Sequence, residues 1–166
     1  MNDRLLSHQN AFTMIEILVI TSIIVILATL AGPAVVHMMP GIRLNSTAQQ
    51  IVNDLQFARM RSIATSREFR LSFNTSAESY RIEEGNKSEG SNWPGALVDL
   101  ERRLNDSSNL YYQKNIDISS VTQDPVFNPK GLCSTASTIK IQNGDGGRKK
   151  ITINLAGGIK VYDTWD

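Results

Sequence analysis

Few side chains in this sequence combine a reactive type with a useful spacing. Both histidines, His8 and His37, flank an apolar stretch near the N-terminus, so nothing downstream offers an imidazole for acid–base work. The single cysteine, Cys133, excludes an intramolecular disulfide and any multi-cysteine metal site. With no histidine nearby to activate it, its thiol reads as a small buried side chain. Asn143-Gly144-Asp145-Gly146-Gly147 has the oxygens and glycines that calcium loops use. One carboxylate falls far short of about six to eight oxygen ligands, so a hairpin turn is expected instead. No catalytic residue, metal ligand or cofactor site is expected, and hydrolase triads and zinc sites drop out.

Charge offers more. The chain of 166 residues carries 17 Lys plus Arg against 16 Asp plus Glu, a net charge of +1, which gives no bulk attraction to nucleic acid. Locally the balance shifts. Arg59, Arg61, Arg67 and Arg70 lie in a basic stretch, residues 40–75, and an acidic one follows over 76–110. The two either meet across subunits or are solvated faces of helix and strand. Arg148, Lys149, Lys150 and Lys160 form a second basic group that could make weak contacts to DNA phosphates, opposed by Asp163 and Asp166. Trp93 and Trp165 read as interface anchors or as covers for local apolar surface.

The most unusual charge is Glu16. It precedes twenty residues without a charge, Ile17 to Val36. At about 1.5 Å per residue a helix of that length spans about 30 Å, enough to cross a bilayer. AGPA near Ala34 resembles a secretory cleavage site, yet the run is longer than the usual signal core of about 7 to 15 residues. A retained span is the expectation. An acid at its entry is either a helix-start residue at headgroup level, favoured by the helix dipole, or a group that needs a partner.

The hexapeptide Ala11-Phe12-Thr13-Met14-Ile15-Glu16, preceded by the short polar leader MNDRLLSHQN, resembles the prepilin class III signal of type IV pilins and type II secretion pseudopilins. That resemblance implies cleavage between Ala11 and Phe12 by a prepilin peptidase, N-methylation of Phe12, and a role for Glu16 in filament assembly. Ala11 stands where the family has glycine. Arg4 is offset by Asp3, so the positive-inside signal is faint. A single pass through the inner membrane with a periplasmic C-terminal domain is what the resemblance implies.

These residues must be positioned by a recognisable set of elements. Hydrophobic content of 41% and charged content of 20% fit a folded domain of ordinary size. Gly32-Pro33 and Pro40-Gly41 punctuate the helical pattern, where kinks or local melting are expected. Beyond them Leu44, Ala48, Ile51, Leu55, Ala58 and Ser62 repeat at helical spacing, with Gln49, Gln50, Asn53 and Asp54 polar. One helix from Thr13 to Thr65 and a helix–loop–helix are both consistent with this. Alternation predicts a hairpin with Phe69, Leu71 and Phe73 in one strand and Tyr80 and Ile82 in the next. LVDLERRL, Leu97 to Leu104, reads as a short helix, and isoleucine alternations predict further strands to Val161. The fold class is α+β, a long N-terminal helix packed on a C-terminal antiparallel β-sandwich or sheet. The expected segments are a leader over 1–11, a membrane and filament-core helix over 12–40, an amphipathic helix over 41–66 and a β-rich domain over 67–166.

Three stretches narrow the resemblance. QQIVNDLQFARMRSIATSREFRLSFN, then FNPKG at Phe127 to Gly131, then LAGGIKV, look like the GspH/FimT family of minor pseudopilins and minor pilins. The resemblance implies a non-enzymatic filament subunit whose partners are the prepilin peptidase, other major and minor pilins or pseudopilins, and the inner membrane. DNA-binding relatives carry Gly-Arg-x-Arg near the C-terminus. Here Gly158-Ile159-Lys160-Val161 lacks both arginines, so nucleic acid is not an expected partner. A DNA-capturing minor pilin for transformation and an anchored periplasmic binding module are the two rival readings.

Overall fold

The computed structural model describes residues 12–165, except for the side chains of residues 30–36. The leader 1–11, including His8 and Ala11, and the terminal Asp166 lie outside the described residues. The chain divides into two compact units, Met1–Met38 and Met39–Asp166.

Helix α1, Met14–Thr65, is a single element of 52 residues. Thr13 starts it: its hydroxyl accepts a hydrogen bond from the Glu16 amide at 3.2 Å, the first half of a Thr-x-x-Glu capping arrangement. Of the kink or local melting expected at Pro40-Gly41, melting does not occur: the helix runs through both residues, as in the single-helix reading. Proline removes one amide bond, and the turns on either side remain hydrogen-bonded. Among the described residues no helix is long and apolar enough to cross a membrane; the expected span runs on through residues 30–36, whose side chains are not among them.

In the second unit eight strands form two antiparallel sheets. β1 (Phe69–Asn74), β2 (Ser79–Glu84), β3 (Leu97–Arg103) and β5 (Val126–Phe127) make one, in the order β3-β2-β1-β5. β4 (Ile116–Val121), β6 (Ser137–Asn143), β7 (Arg148–Ile153) and β8 (Ile159–Tyr162) make the other, in the order β4-β6-β7-β8. The expected β1–β2 hairpin is present, with Phe73 opposite Tyr80 and Leu71 opposite Ile82. LVDLERRL is not a helix: residues 97–103 are the edge strand β3, paired with β2 from Leu97↔Glu84 to Arg103↔Ser79. Its backbone is satisfied by a neighbouring strand, and that tertiary pairing outweighs the helix propensity of Leu, Glu and Arg.

One core joins the helix and both sheets. Ala48, Ile51, Leu55 and Ala58 are fully buried on the helix, Phe69, Leu71 and Ile82 on the first sheet, and Ile139, Ile141 and Ile151 on the second. Each large apolar side chain there contributes about 1.5–3 kcal/mol relative to exposure, and the two alanines allow close approach of the helix backbone.

A five-residue turn, Asn-x-x-Gly-x, occurs three times, at Asn128–Leu132, Asn143–Gly147 and Asn154–Gly158. In each, the asparagine amide donates to the carbonyl four residues on at 3.0 Å, and the glycine amide donates back to the asparagine carbonyl at 2.8, 3.3 and 2.9 Å. The asparagine Oδ1 accepts from the fifth residue's amide at 3.2, 2.7 and 2.7 Å. The glycines, Gly131, Gly146 and Gly157, have φ of 74°, 86° and 76°, a region other residues enter only with strain. The expected hairpin turn at Asn143 is therefore one of a set, and its side-chain oxygen is consumed by the turn.

Candidate functional site

Phe12, Thr13 and Glu16 open the first unit. Phe12 is 70% exposed, and it is followed by a helix whose large apolar side chains, Ile15, Ile17, Leu18, Val19, Ile20 and Ile23 through Leu27, are all exposed. Glu16 is the only charged residue from Phe12 to His37. Its amide is capped by Thr13, but among the described residues its carboxylate has no hydrogen-bond or ion-pair partner. Among the described residues this arrangement presents one unpaired carboxylate at the head of an exposed apolar helix. The cleavage partner of Phe12, Ala11, lies outside the described residues.

In the second unit the stretches that carry the family resemblance converge on Arg59. From the last two turns of α1 its Nε donates to the Gly131 carbonyl at 2.8 Å and its Nη1 to the Gly157 carbonyl at 3.2 Å. It thereby fastens two of the three Asn-x-x-Gly turns, those of FNPKG and LAGGIKV, to the helix. Ser62 adds a hydroxyl bond to the Asn128 carbonyl at 2.9 Å, and the Cys133 amide joins the turns by donating to the Leu155 carbonyl at 3.0 Å. Cys133 itself is buried, with its Sγ donating to the Thr135 carbonyl at 3.1 Å; burial pushes the thiol pKa up, which makes it a structural side chain.

Asp54, read from sequence as part of the solvent face, is buried. Its two oxygens take Arg102 Nε at 2.5 Å and Nη2 at 2.9 Å, the Tyr80 hydroxyl at 2.7 Å and Gln50 Nε2 at 3.2 Å. Tyr111 covers the guanidinium, 3.7 Å from ring centroid to Cζ. Burial and the adjacent Asp54 charge push the Tyr80 hydroxyl pKa up; burial lowers that of Arg102, but the bonds to Asp54 and Tyr111 together with the charges of Asp54 and Tyr80 outweigh burial and raise it on balance. The network ties α1 to β2 and β3.

The basic stretch and the acidic one meet within a single chain. Arg70 pairs with Glu83, its direct cross-strand partner, Arg67 with Glu84 at 3.1 Å, and Arg61 with Asp99 at 3.5 Å. Contact across subunits is thus not needed to balance these charges, and Asp54–Arg102 and Arg70–Glu83 are too buried to be solvated faces. Trp93 serves local cover, with the Arg70 guanidinium stacked 4.4 Å from its ring centroid.

The C-terminal basic group is split. Arg148, Lys150 and Lys160 share the outer face of the second sheet, whereas Lys149 turns to the other side and pairs with Asp163 at 2.6 Å. Trp165 joins them, donating from Nε1 to the Lys149 carbonyl at 3.0 Å. Among the described residues no cluster of three or more His, Cys, Asp or Glu could hold a metal.

The family model described as type II transport protein GspH matches residues 47–157, which contain Asp54, Arg59 and all three turns except the last glycine. The minor pseudopilin EpsH from the type 2 secretion system of Vibrio cholerae is similar in fold, with a TM-score of 0.55, 11% identity and coverage of 73% of this chain and 97% of that one. A crystal structure of EpsH gives a TM-score of 0.52 at 12% identity, covering 75% and 96%. The type IV minor pilin FimU of Pseudomonas aeruginosa gives 0.52 at 17% identity, covering 72% and 87%. No curated protein matches the chain. Identities this low carry the fold alone; the match over two thirds of the sequence carries the family, and the chain belongs to the GspH family of pilin-like type II transport proteins.

Proposed function

We propose that this protein is a minor pilin or pseudopilin that a prepilin peptidase cuts between Ala11 and Phe12, that is N-methylated at Phe12, and that enters a type IV pilus or type II secretion pseudopilus. Before assembly it is held in the inner membrane by the apolar helix, with the β-rich domain periplasmic, and its partners are other pilins or pseudopilins. It works by assembly and not by catalysis.

The observation that carries the reading is the Glu16 carboxylate, without a partner among the described residues, at the head of an exposed apolar helix. Cleavage would put a positive amine at Phe12, one helical turn before Glu16. Each charge alone is costly in lipid. Pairing Glu16 with the Phe12 amine of a neighbouring subunit compensates both only in the filament, so the same contact rewards assembly and sets the axial register.

Glu16→Ala tests this at equal membrane levels. The variant is expected to insert, to be cleaved and to keep its folded domain, but to fall several-fold in sheared filaments; Glu16→Gln behaves alike, because an amide does not balance an amine. Equal incorporation of wild type and variant would reduce Glu16 to a helix-capping acid.

A further inference from the structure

The strand register sets four cations side by side on the outer face of the second sheet. Lys140 and Lys150 are direct cross-strand partners. Arg148 lies two residues before Lys150 on the same face, opposite Gln142, and Lys160 is opposite Thr152. The alternate positions, Ile139, Ile141, Ile151 and Ile153, are buried in the core, so the four charges project outward. Like charges placed directly opposite each other weaken a sheet, and a cost of this kind marks a surface kept for something other than stability.

Two aromatic rings hold three of the four cationic heads in place. Lys140 Nζ and Arg148 Cζ lie 5.6 and 5.0 Å from the Trp165 ring centroid, and Lys150 Nζ lies 5.2 Å from that of Tyr162. Trp165 is itself fixed by its bond to the Lys149 carbonyl. The sequence reading had Arg148, Lys150 and Lys160; the register adds Lys140, Tyr162 and Trp165. Among the described residues Asp117, on the far edge strand, is the only carboxylate at a strand position of this face.

We infer that this face is a docking surface for an acidic surface of a different subunit of the same filament, an inference that rests on the assembly role proposed above. Charge complementarity selects an anionic partner. The cations are spread over three strands, about 10 Å across, and are bordered on the far edge strand by Asp117. A continuous phosphate rail would meet that acid as repulsion. A protein surface of mixed charge can satisfy both signs, and ordered tryptophan and tyrosine rings suit a protein interface.

The test places a photo-reactive amino acid at Thr152, between Lys150 and Lys160, in the full chain expressed with its own filament system. Expected is an adduct to another pilin-like subunit, mapped to a segment rich in Asp and Glu. The adduct should fall at least tenfold when Lys140→Glu, Lys150→Glu and Lys160→Glu are combined, with Lys→Gln at the same three sites intermediate and the melting temperature of the Gln variant near wild type. A nuclease-sensitive adduct overturns the proposal in favour of nucleic acid. Subunit present in sheared filaments without a protein adduct overturns it while leaving the assembly role standing. Subunit absent from filaments and without an adduct in membranes overturns both.

Discussion

At the scale of single residues, the second unit depends on polar groups that reach between elements. Arg59 is the clearest, because two carbonyls of separate turns rely on one guanidinium. Arg59→Ala is expected to cost about 2 kcal/mol, the low end for two charge-assisted bonds that solvent partly replaces, and to lower the melting temperature by roughly 5–10 °C. Thermal unfolding followed by circular dichroism checks it, and Arg59→Lys should recover only part of the loss. Glu78 gives a prediction with a sign. Burial, and secondarily the Asp117 charge, raise its pKa against the opposing bond from the Ile118 amide at 2.5 Å. The folded state therefore holds the Glu78 proton at higher pH than the unfolded state, so the stability linked to this group rises as pH falls through the raised value toward the ordinary carboxylate value. Melting temperatures of wild type and Glu78→Gln between pH 7 and pH 4.5 should show wild type gaining relative to the variant on acidification. Neither residue was legible in advance as a structural key. Arg59 sits in a run of arginines whose sequence gives no hint of which one faces inward, although the thrice-repeated Asn-x-x-Gly spacing was a signal that the turns share one geometry.

At the scale of elements, sequence periodicity located the packed face of α1. Leu44, Ala48, Ile51, Leu55 and Ala58 were the expected stripe and are the buried one. Asp54 was misplaced because an acid grouped with Gln49, Gln50 and Asn53 reads as solvent-facing, and its burial depends on Arg102 and Tyr80, which lie on strands far along the chain. Strand β3 was misread for a related reason: a solvent-exposed edge strand has no alternating apolar signal, and Leu97, Val98 and Asp99 are all exposed. The strands with buried isoleucines at every second position, β6 and β7, were legible. Leu55→Asp tests the docking of the helix face. Burying an unpaired carboxylate where Leu55 is fully enclosed should cost several kcal/mol and leave residues 39–166 largely unfolded or with a much lower melting temperature. An unchanged melting temperature would mean that α1 does not complete the core.

At the scale of the whole molecule, the division of labour follows the two units. Among its described residues the first displays apolar side chains and one acid, Glu16, and the second encloses a core that the helix completes. The hexapeptide signal and the apolar run pointed to assembly because their chemistry is local and needs no tertiary context. The charge pairing of residues 40–110 was hidden because strand register decides which ions meet. The direct measurement is the intact mass and N-terminal sequence of the protein recovered from sheared filaments. The account predicts a chain that begins at N-methylated Phe12. A chain found only in the membrane fraction and still beginning at Met1 would contradict it.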